Sequence, residues 1–235
     1  MSHSELPELR ALLTALTGFS ARAGHDMAGP LNQASSLLAL FMKRYKNQID
    51  EDADQLLDYV QNASQRMEEV ANGVRKFMEL AAKPTGRDSV DLNESLASAL
   101  ERLQPEIARS GANVIAARLP VVTGDAAQLT LLFEHLVGNS IKFRDTEVSP
   151  RVYISVSPEE NMQAIAIRDE GFGVDPEDYD SLFVPFKRLN GCEFPGPGLG
   201  LAMARLIVER HGGRISMVPV AQGPGTCVRF TVRPL

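Results

Sequence analysis

His25 stands in the segment Gly-His-Asp-Met-Ala-Gly-Pro-Leu-Asn-Gln, with Asp26 directly after it. A carboxylate beside an imidazole can hold one ring nitrogen protonated and leave the other free as a nucleophile. Taken alone, a helical histidine is ordinarily only a surface residue. A second set of groups lies in Leu-Leu-Phe-Glu-His-Leu-Val-Gly-Asn-Ser-Ile-Lys-Phe, where Asn139 and Lys142 share a helix face and His135 sits one turn earlier. An Asn carbonyl can give one oxygen to Mg²⁺, and a lysine can meet phosphate charge; the pair is unremarkable by itself. A third set ends an apolar run: Asp169, Glu170, Gly171, Phe172, Gly173. A carboxylate at a strand end can accept the exocyclic amine of adenine, and the glycines let backbone lie against the ring; alone, the segment reads as a tight acidic turn. Finally, Gly196, Gly198 and Gly200 precede a helical pattern, and free amides at a glycine-rich helix start suit phosphate. No Gly-Lys-Ser/Thr follows, so this is not a Walker loop, and no strand leads directly into it, which excludes the dinucleotide fingerprint.

Two kinds of scaffold must carry these groups. Up to Lys83-Pro84-Thr85-Gly86 the chain has almost no strand signal; beyond it come β-branched runs, turns and most of the glycine and proline. This change places the domain boundary there. The first part predicts two long helices. In the second of them Leu56, Val60, Ala63, Met67, Val70, Val74, Phe77 and Ala81 alternate steps of four and three, the period of a coiled-coil seam. The first carries a wider stripe: Leu9, Leu12, Leu16, Phe19, Ala23, Met27, Leu31, Ala34, Leu38 and Phe41. His25 lies two residues from Ala23 and from Met27, which at about 100° per residue turns it toward solvent, and Pro30 falls inside the helix, where it bends the axis. Residues Tyr45 to Asp54 form the turn, with Asp50 or Asp52 as cap. Two helices cannot bury such stripes on each other alone. A four-helix bundle in a homodimer accounts for them better than a monomer whose stripes pack on the second part.

In the second part, helix patterns cover Leu92 to Arg109, Ala126 to Phe143 and Leu199 to His211. Strand patterns cover Asn113 to Arg118, Val152 to Ser157, Gln163 to Arg168, Arg214 to Val218 and Val228 to Val232. Helices and mostly antiparallel strands in this order predict an α/β two-layer sandwich.

Composition bounds the partners. The 235 residues carry a net charge of −6, which argues against a nucleic-acid binder. No window approaches about 18 uninterrupted apolar residues, so the sequence offers no membrane segment, and the N-terminus lacks the basic and apolar regions of a signal peptide. Cys192 and Cys227 match no metal spacing and read as reduced thiols of a cytoplasmic protein.

In this order, the segments resemble the boxes of the histidine kinases of two-component signalling, over nearly the whole chain. His-Asp-Met-Ala-Gly-Pro-Leu resembles the phospho-acceptor box, Leu-Phe-Glu-His-Leu-Val-Gly-Asn-Ser-Ile-Lys-Phe the N box, and Ile-Arg-Asp-Glu-Gly-Phe-Gly-Val the G1 box. Leu-Phe-Val-Pro-Phe-Lys-Arg-Leu resembles the F box, and the run from Gly196 to Gly213 the G2 box. The wording, particularly Gly-Asn-Ser-Ile-Lys-Phe-Arg, is closest to the phytochrome-like branch. The resemblance implies a dimerisation and histidine phosphotransfer domain over 1–84, followed by a Bergerat-type ATP-binding domain over 88–235. It implies ATP and Mg²⁺ as cofactors and, as partners, a second copy of the chain and the receiver domain of a response regulator. It makes His25 the phospho-acceptor and Asp26 the acid that orients or deprotonates it. Asn139 becomes the Mg²⁺ ligand, Lys142 a phosphate contact and Asp169 the adenine acceptor. Gly171 and Gly173 match the G1 backbone, Gly196, Gly198 and Gly200 the phosphate loop, and Thr226 a residue of the last box. Residues Val174 to Pro195 would form an ATP lid anchored by Phe183 and Phe186.

Three departures bear on activity. Gly29 stands where many relatives carry Thr or Asn for dephosphorylating a partner, which speaks against phosphatase activity. His135 replaces the first Asn of the N box, and Pro197 removes one amide donor from the phosphate loop. Two other functions compete with the kinase: an ATP hydrolase on the same nucleotide fold, and a degenerate kinase serving as a dimeric scaffold.

Overall fold

The computed structural model describes residues 29, 33–45, 50–144, 147–189, 194, 196–220 and 224–235. The chain divides into two compact units, one running to Lys83 with residues 195–197, the other Pro84–Phe194 with Gly198–Leu235. His25, Asp26 and Pro30 lie outside the described residues.

Two helices run through the described residues of the first unit. Helix α1 covers residues 33–45 and α2 runs Glu51–Ala82. Asp50 is the cap of α2: its Oδ1 accepts from the N–H of Ala53 at 2.8 Å. The helix ends where Lys83 turns extended, at φ −72° and ψ 131°, because the following Pro84 disfavours helical backbone at the residue before it. Ser35 and Ser64 share a 2.6 Å hydroxyl hydrogen bond that joins α1 to α2. Ser64 and Ala71 are buried on that face. The seam positions Leu56, Val60, Met67 and Val70, one residue removed from it, are exposed in the single chain.

The second unit is a two-layer sandwich. A five-stranded sheet has the order β2-β4-β5-β7-β6: β2 Asn113–Ala116, β4 Arg151–Glu159, β5 Met162–Asp169, β7 Cys227–Val232 and β6 Ile215–Val218. Helices α3 (Leu92–Arg102), α4 (Gln104–Ser110), α5 (Ala126–Lys142) and α6 (Gly200–Arg210) belong to the same unit. Alternation buries one sheet face: Val152 and Ile154 on β4, Ile165 and Ile167 on β5, Val228, Phe230 and Val232 on β7. Phe133 of α5 meets Phe230 edge-on at 6.1 Å between ring centroids, so α5 is seated on the sheet by two fully buried rings. Emptying either site would cost about 3–5 kcal/mol.

The structure corrects the sequence reading in several places. The helix expected over Leu92 to Arg109 is broken at Leu103, with φ −85° and ψ 2°. Pro105 has no N–H and tolerates only a first turn, so a new helix starts around it. Strands β1 (Asp88–Asp91) and β3 (Val121–Gly124) pair antiparallel in a small second sheet; four residues each are too few to show a period. In the main sheet β2 runs parallel to β4, while the other pairings are antiparallel. Burial pushes the thiol of Cys227 up, which keeps it protonated. Among the described residues no helix is long and apolar enough to cross a membrane.

Candidate functional site

Asp169 closes β5 and is buried. Its Oδ1 accepts two backbone N–H groups, from Gly171 at 3.0 Å and from Thr226 at 2.9 Å, while its own N–H donates to the carbonyl of Thr226 at 2.9 Å. The carboxylate is thereby fixed through one oxygen. Burial raises its pKa from the ordinary carboxylate value, opposed by those two hydrogen bonds, by the Ser140 hydroxyl and by the charge of Arg168.

The backbone around this carboxylate is too close for side chains. A Cβ on Gly171 would stand 2.2 Å from the carbonyl oxygen of Phe143, and one on Gly225 2.0 Å from that of Asp169. Gly173 adopts φ 77°, in the left-handed region that favours glycine. A cavity of about 420 Å³ opens next to it, lined among others by Phe172, Tyr179, Pro219 and Gly225.

Helix α5 carries the second group of residues. Asp125 caps it by accepting from the N–H of Gln128 at 3.0 Å. His135, Asn139 and Lys142 then follow on one face. Helix α6 begins at Gly200, where a Cβ would be 3.6 Å from His135 Nδ1 and 3.9 Å from the Asn139 carboxamide. The amide ends of α6 thus lie beside Asn139, and its cap residue Leu199 offers no side-chain acceptor. Such a helix start favours an anion. Gly198, at φ 74°, accepts from the N–H of Phe186 at 3.0 Å, and a Cβ there would press on the carbonyl of Lys187 at 3.0 Å.

The structure therefore groups Asp169, Gly171, Gly173 and Thr226 at the end of β5, and Asn139 with Gly200 where α5 meets α6. Phe143, just past α5, touches the first group through its carbonyl. The ammonium of Lys142 lies over the Phe143 ring, 4.6 Å from its centroid, and that ring packs on Phe194 at 5.0 Å. Gly196 falls to the helical unit. Of the two expected lid anchors, Phe183 is buried, but Phe186 is 52% exposed; at φ 66° it gives its N–H to Gly198 and leaves its ring in solvent.

Two contributors escaped the sequence reading. Ser140, adjacent to Asn139, donates its hydroxyl to the Leu136 carbonyl at 3.2 Å and lowers the pKa of Asp169; its only signal was its place between two named residues. Gly225 was legible in Gly-Pro-Gly-Thr as a turn, but its contact with Asp169 depends on strand pairing. No cluster of three or more His, Cys, Asp or Glu able to hold a metal occurs among the described residues. A magnesium ion fits this site only in the manner Mg²⁺ commonly binds beside nucleotides, with one or two protein oxygens and the remaining positions filled by phosphate and water.

The profile of the histidine kinase-, DNA gyrase B- and HSP90-like ATPase family matches residues 124–235. The chain is similar to cyanobacterial phytochrome A of Nostoc sp., 34% identical over 218 residues, which is 92% of this chain and 28% of that protein. It is similar also to the phytochrome-like protein Cph1 of Synechocystis sp., 32% identical over 92% of this chain and 29% of that one. It thus spans less than a third of the length of these relatives. Among solved structures, the mycobacterial sensor histidine kinase MprB aligns with a TM-score of 0.55 at 28% identity, over 63% of this chain and 99% of that one. Full-length ShkA, solved in complex with AMPPNP, shares the fold over 93% of this chain and 46% of its own, with a TM-score of 0.67 at 21% identity.

Proposed function

Because the chain belongs to the sensor histidine kinases, as a catalytic core of their phytochrome-like branch with an ATPase domain over residues 124–235, we propose that it is an ATP-dependent protein histidine kinase that phosphorylates His25. The free nitrogen of the neutral His25 imidazole attacks the γ-phosphorus of ATP. The nitrogen–phosphorus bond forms as the bond from phosphorus to the β,γ-bridging oxygen breaks, ADP leaves, and the imidazole proton passes toward Asp26. The phosphoryl group then moves to an aspartate of a response regulator. Residues 1–84 serve as the dimerisation and phosphotransfer domain, residues 88–235 as the ATP-binding domain, and the cytoplasm is the compartment.

The observation that carries this reading is the pair of groupings along α5. At one end Asp169 is held through Oδ1, which leaves Oδ2 to accept the exocyclic amine of adenine. One turn back along α5, Asn139 lies beside the glycine-rich start of α6, whose first amides suit phosphates. Lys142, on the same face of α5, adds positive charge for them. Mg²⁺, held by the Asn139 carboxamide and the nucleotide, would neutralise phosphate charge there. Positioning supplies most of the rate in such a reaction. The exposed row Leu56, Val60, Met67 and Val70 supports a homodimer in which a second copy completes a four-helix bundle.

Incubation with γ-labelled ATP and Mg²⁺, beside a His25→Gln variant, tests the reading. Acid-labile, base-stable label on the wild type alone is the expected result. Free phosphate without protein label would make the chain an ATP hydrolase; neither product, with a stable dimer, would make it a scaffold.

A further inference from the structure

Between buried Phe183 and half-exposed Phe186 stand Val184 and Pro185. The N–H of Lys187 donates to the carbonyl of Val184 at 3.2 Å, which closes Val184-Pro185-Phe186-Lys187 into a four-residue turn. Proline is second and the third residue has φ 66°, the pattern of a type II turn. That third place ordinarily takes glycine or asparagine, because a Cβ crowds the backbone at positive φ. A phenylalanine there is strained, and such strain persists only where surrounding contacts hold it. The ring, half in solvent, does not supply them.

The backbone does. The N–H of Phe186 donates to the Gly198 carbonyl at 3.0 Å. Gly198, itself at φ 74°, is closely enclosed: a Cβ there would lie 3.0 Å from the Lys187 carbonyl oxygen and from Arg188 Cγ, and 3.1 Å from the carbonyl carbon of Phe186. Two residues later α6 begins. Its ladder opens with the N–H of Met203 donating to the Leu199 carbonyl at 2.9 Å, so the amides of Gly200, Leu201 and Ala202 precede the ladder. Leu199 alone separates these amides from the enclosed glycine.

We propose that this turn braces the phosphate-facing start of α6, and that Phe186 is a positioning residue acting through its left-handed backbone. An apolar anchor would act through the ring instead. The brace rests on the nucleotide-site reading above. With residues 186–188 around Gly198, the first amides of α6 are held in place before a phosphate arrives. When the turn opens, only the molecules that keep it closed are competent, and apparent affinity falls by that fraction. A ligand that ends short of α6 does not sense the change.

The test uses the full chain with Phe186→Gly, Phe186→Asn and Phe186→Val. Glycine and asparagine accept positive φ, whereas valine is β-branched and resists it, yet is the most apolar of the three. A backbone role and a ring role therefore predict opposite orders. Calorimetry reads affinity for a non-hydrolysable ATP analogue with Mg²⁺ and for adenosine, and hydrogen exchange follows residues 198–201. The Gly and Asn variants should bind the analogue within about twofold of wild type or tighter, and the Val variant about fivefold or more weakly. Adenosine affinity should stay within about twofold in all three, and exchange should quicken in the Val variant alone. Gly and Asn variants that bind as weakly as Val, a Val variant that binds like wild type, or equal losses for adenosine and analogue overturn the proposal. If the Val variant does not fold, retained binding and unchanged exchange in the other two support the backbone role, and a loss in both assigns it to the ring. A wild type that binds neither ligand sinks the nucleotide reading, while exchange at residues 198–201 still decides whether the turn braces α6.

Discussion

The N–H of Thr226 donates to Oδ1 of Asp169 at 2.9 Å, across 57 positions of sequence, and the Thr226 carbonyl takes the N–H of Asp169 in return at 2.9 Å. This two-way clasp orients the carboxylate, and replacing Asp169 by Asn should separate orientation from charge. The carboxamide keeps an acceptor for Gly171 and Thr226 but presents a donor where an exocyclic amine must also donate. A hydrogen bond to a charged group contributes about 1.5–3 kcal/mol. Calorimetric titration should therefore show ATP-analogue affinity falling about tenfold or more, with a melting temperature at pH 7.5 no lower than the wild type's. A stable variant that binds as tightly would remove Asp169 from the site.

The raised pKa of Asp169 sets a pH dependence whose sign is opposite to that of a salt-bridged carboxylate. The native state holds the proton more tightly than the unfolded chain, so ionising the group costs stability as pH rises from about 3.8 through the raised value. In the proposed site nucleotide binding needs the ionised form, so it should weaken as pH falls through that raised value. Affinity measured from pH 8 down should therefore drop before ordinary carboxylates titrate, and Asp169→Asn should lose that part of the profile.

Glycines at the two ends of the site should fail differently. At Gly200 a Cβ meets only ordinary contacts, 3.6 Å and beyond, so Gly200→Ala should fold and gain up to about 1 kcal/mol of helix stability. It should nonetheless bind ATP several-fold less well, because the methyl group intrudes beside Asn139. At Gly225 a Cβ would lie 2.0 Å from the Asp169 carbonyl, so Gly225→Ala must displace backbone and should lower both melting temperature and affinity. Thermal melts paired with analogue titration distinguish the two.

The exposed seam of α2 predicts the oligomeric state. Val60 and Met67 are 54% and 50% exposed in the single chain. Placing Asp at both positions would put unpaired charge into the proposed bundle, where burial is costly. Sedimentation should show the double variant at half the mass of the wild type, with the sandwich still able to bind nucleotide. A double variant that sediments like the wild type would place the dimer contact elsewhere.

Much of this site could be read from local sequence because the relevant constraints are local. A carboxylate ending an apolar run, glycines beside it, and polar residues spaced by one turn of α5 are patterns carried within a dozen residues. The same holds for the cap of α2, Asp50. What escaped was either short or distant. Strands β1 and β3 are four residues each, and the break at Leu103 turned on Pro105, a local signal passed over in a long apolar pattern.

Distance explains the rest. Periodicity shows which face of an element is apolar, but not which element it meets. Only the folded chain set β2 parallel to β4, brought Thr226 and Gly225 against Asp169 and turned the Phe186 ring outward. Each of these is a contact between segments far apart in sequence, decided by how strands register and helices pack, and a single chain of residue types does not encode such a partner in any one place.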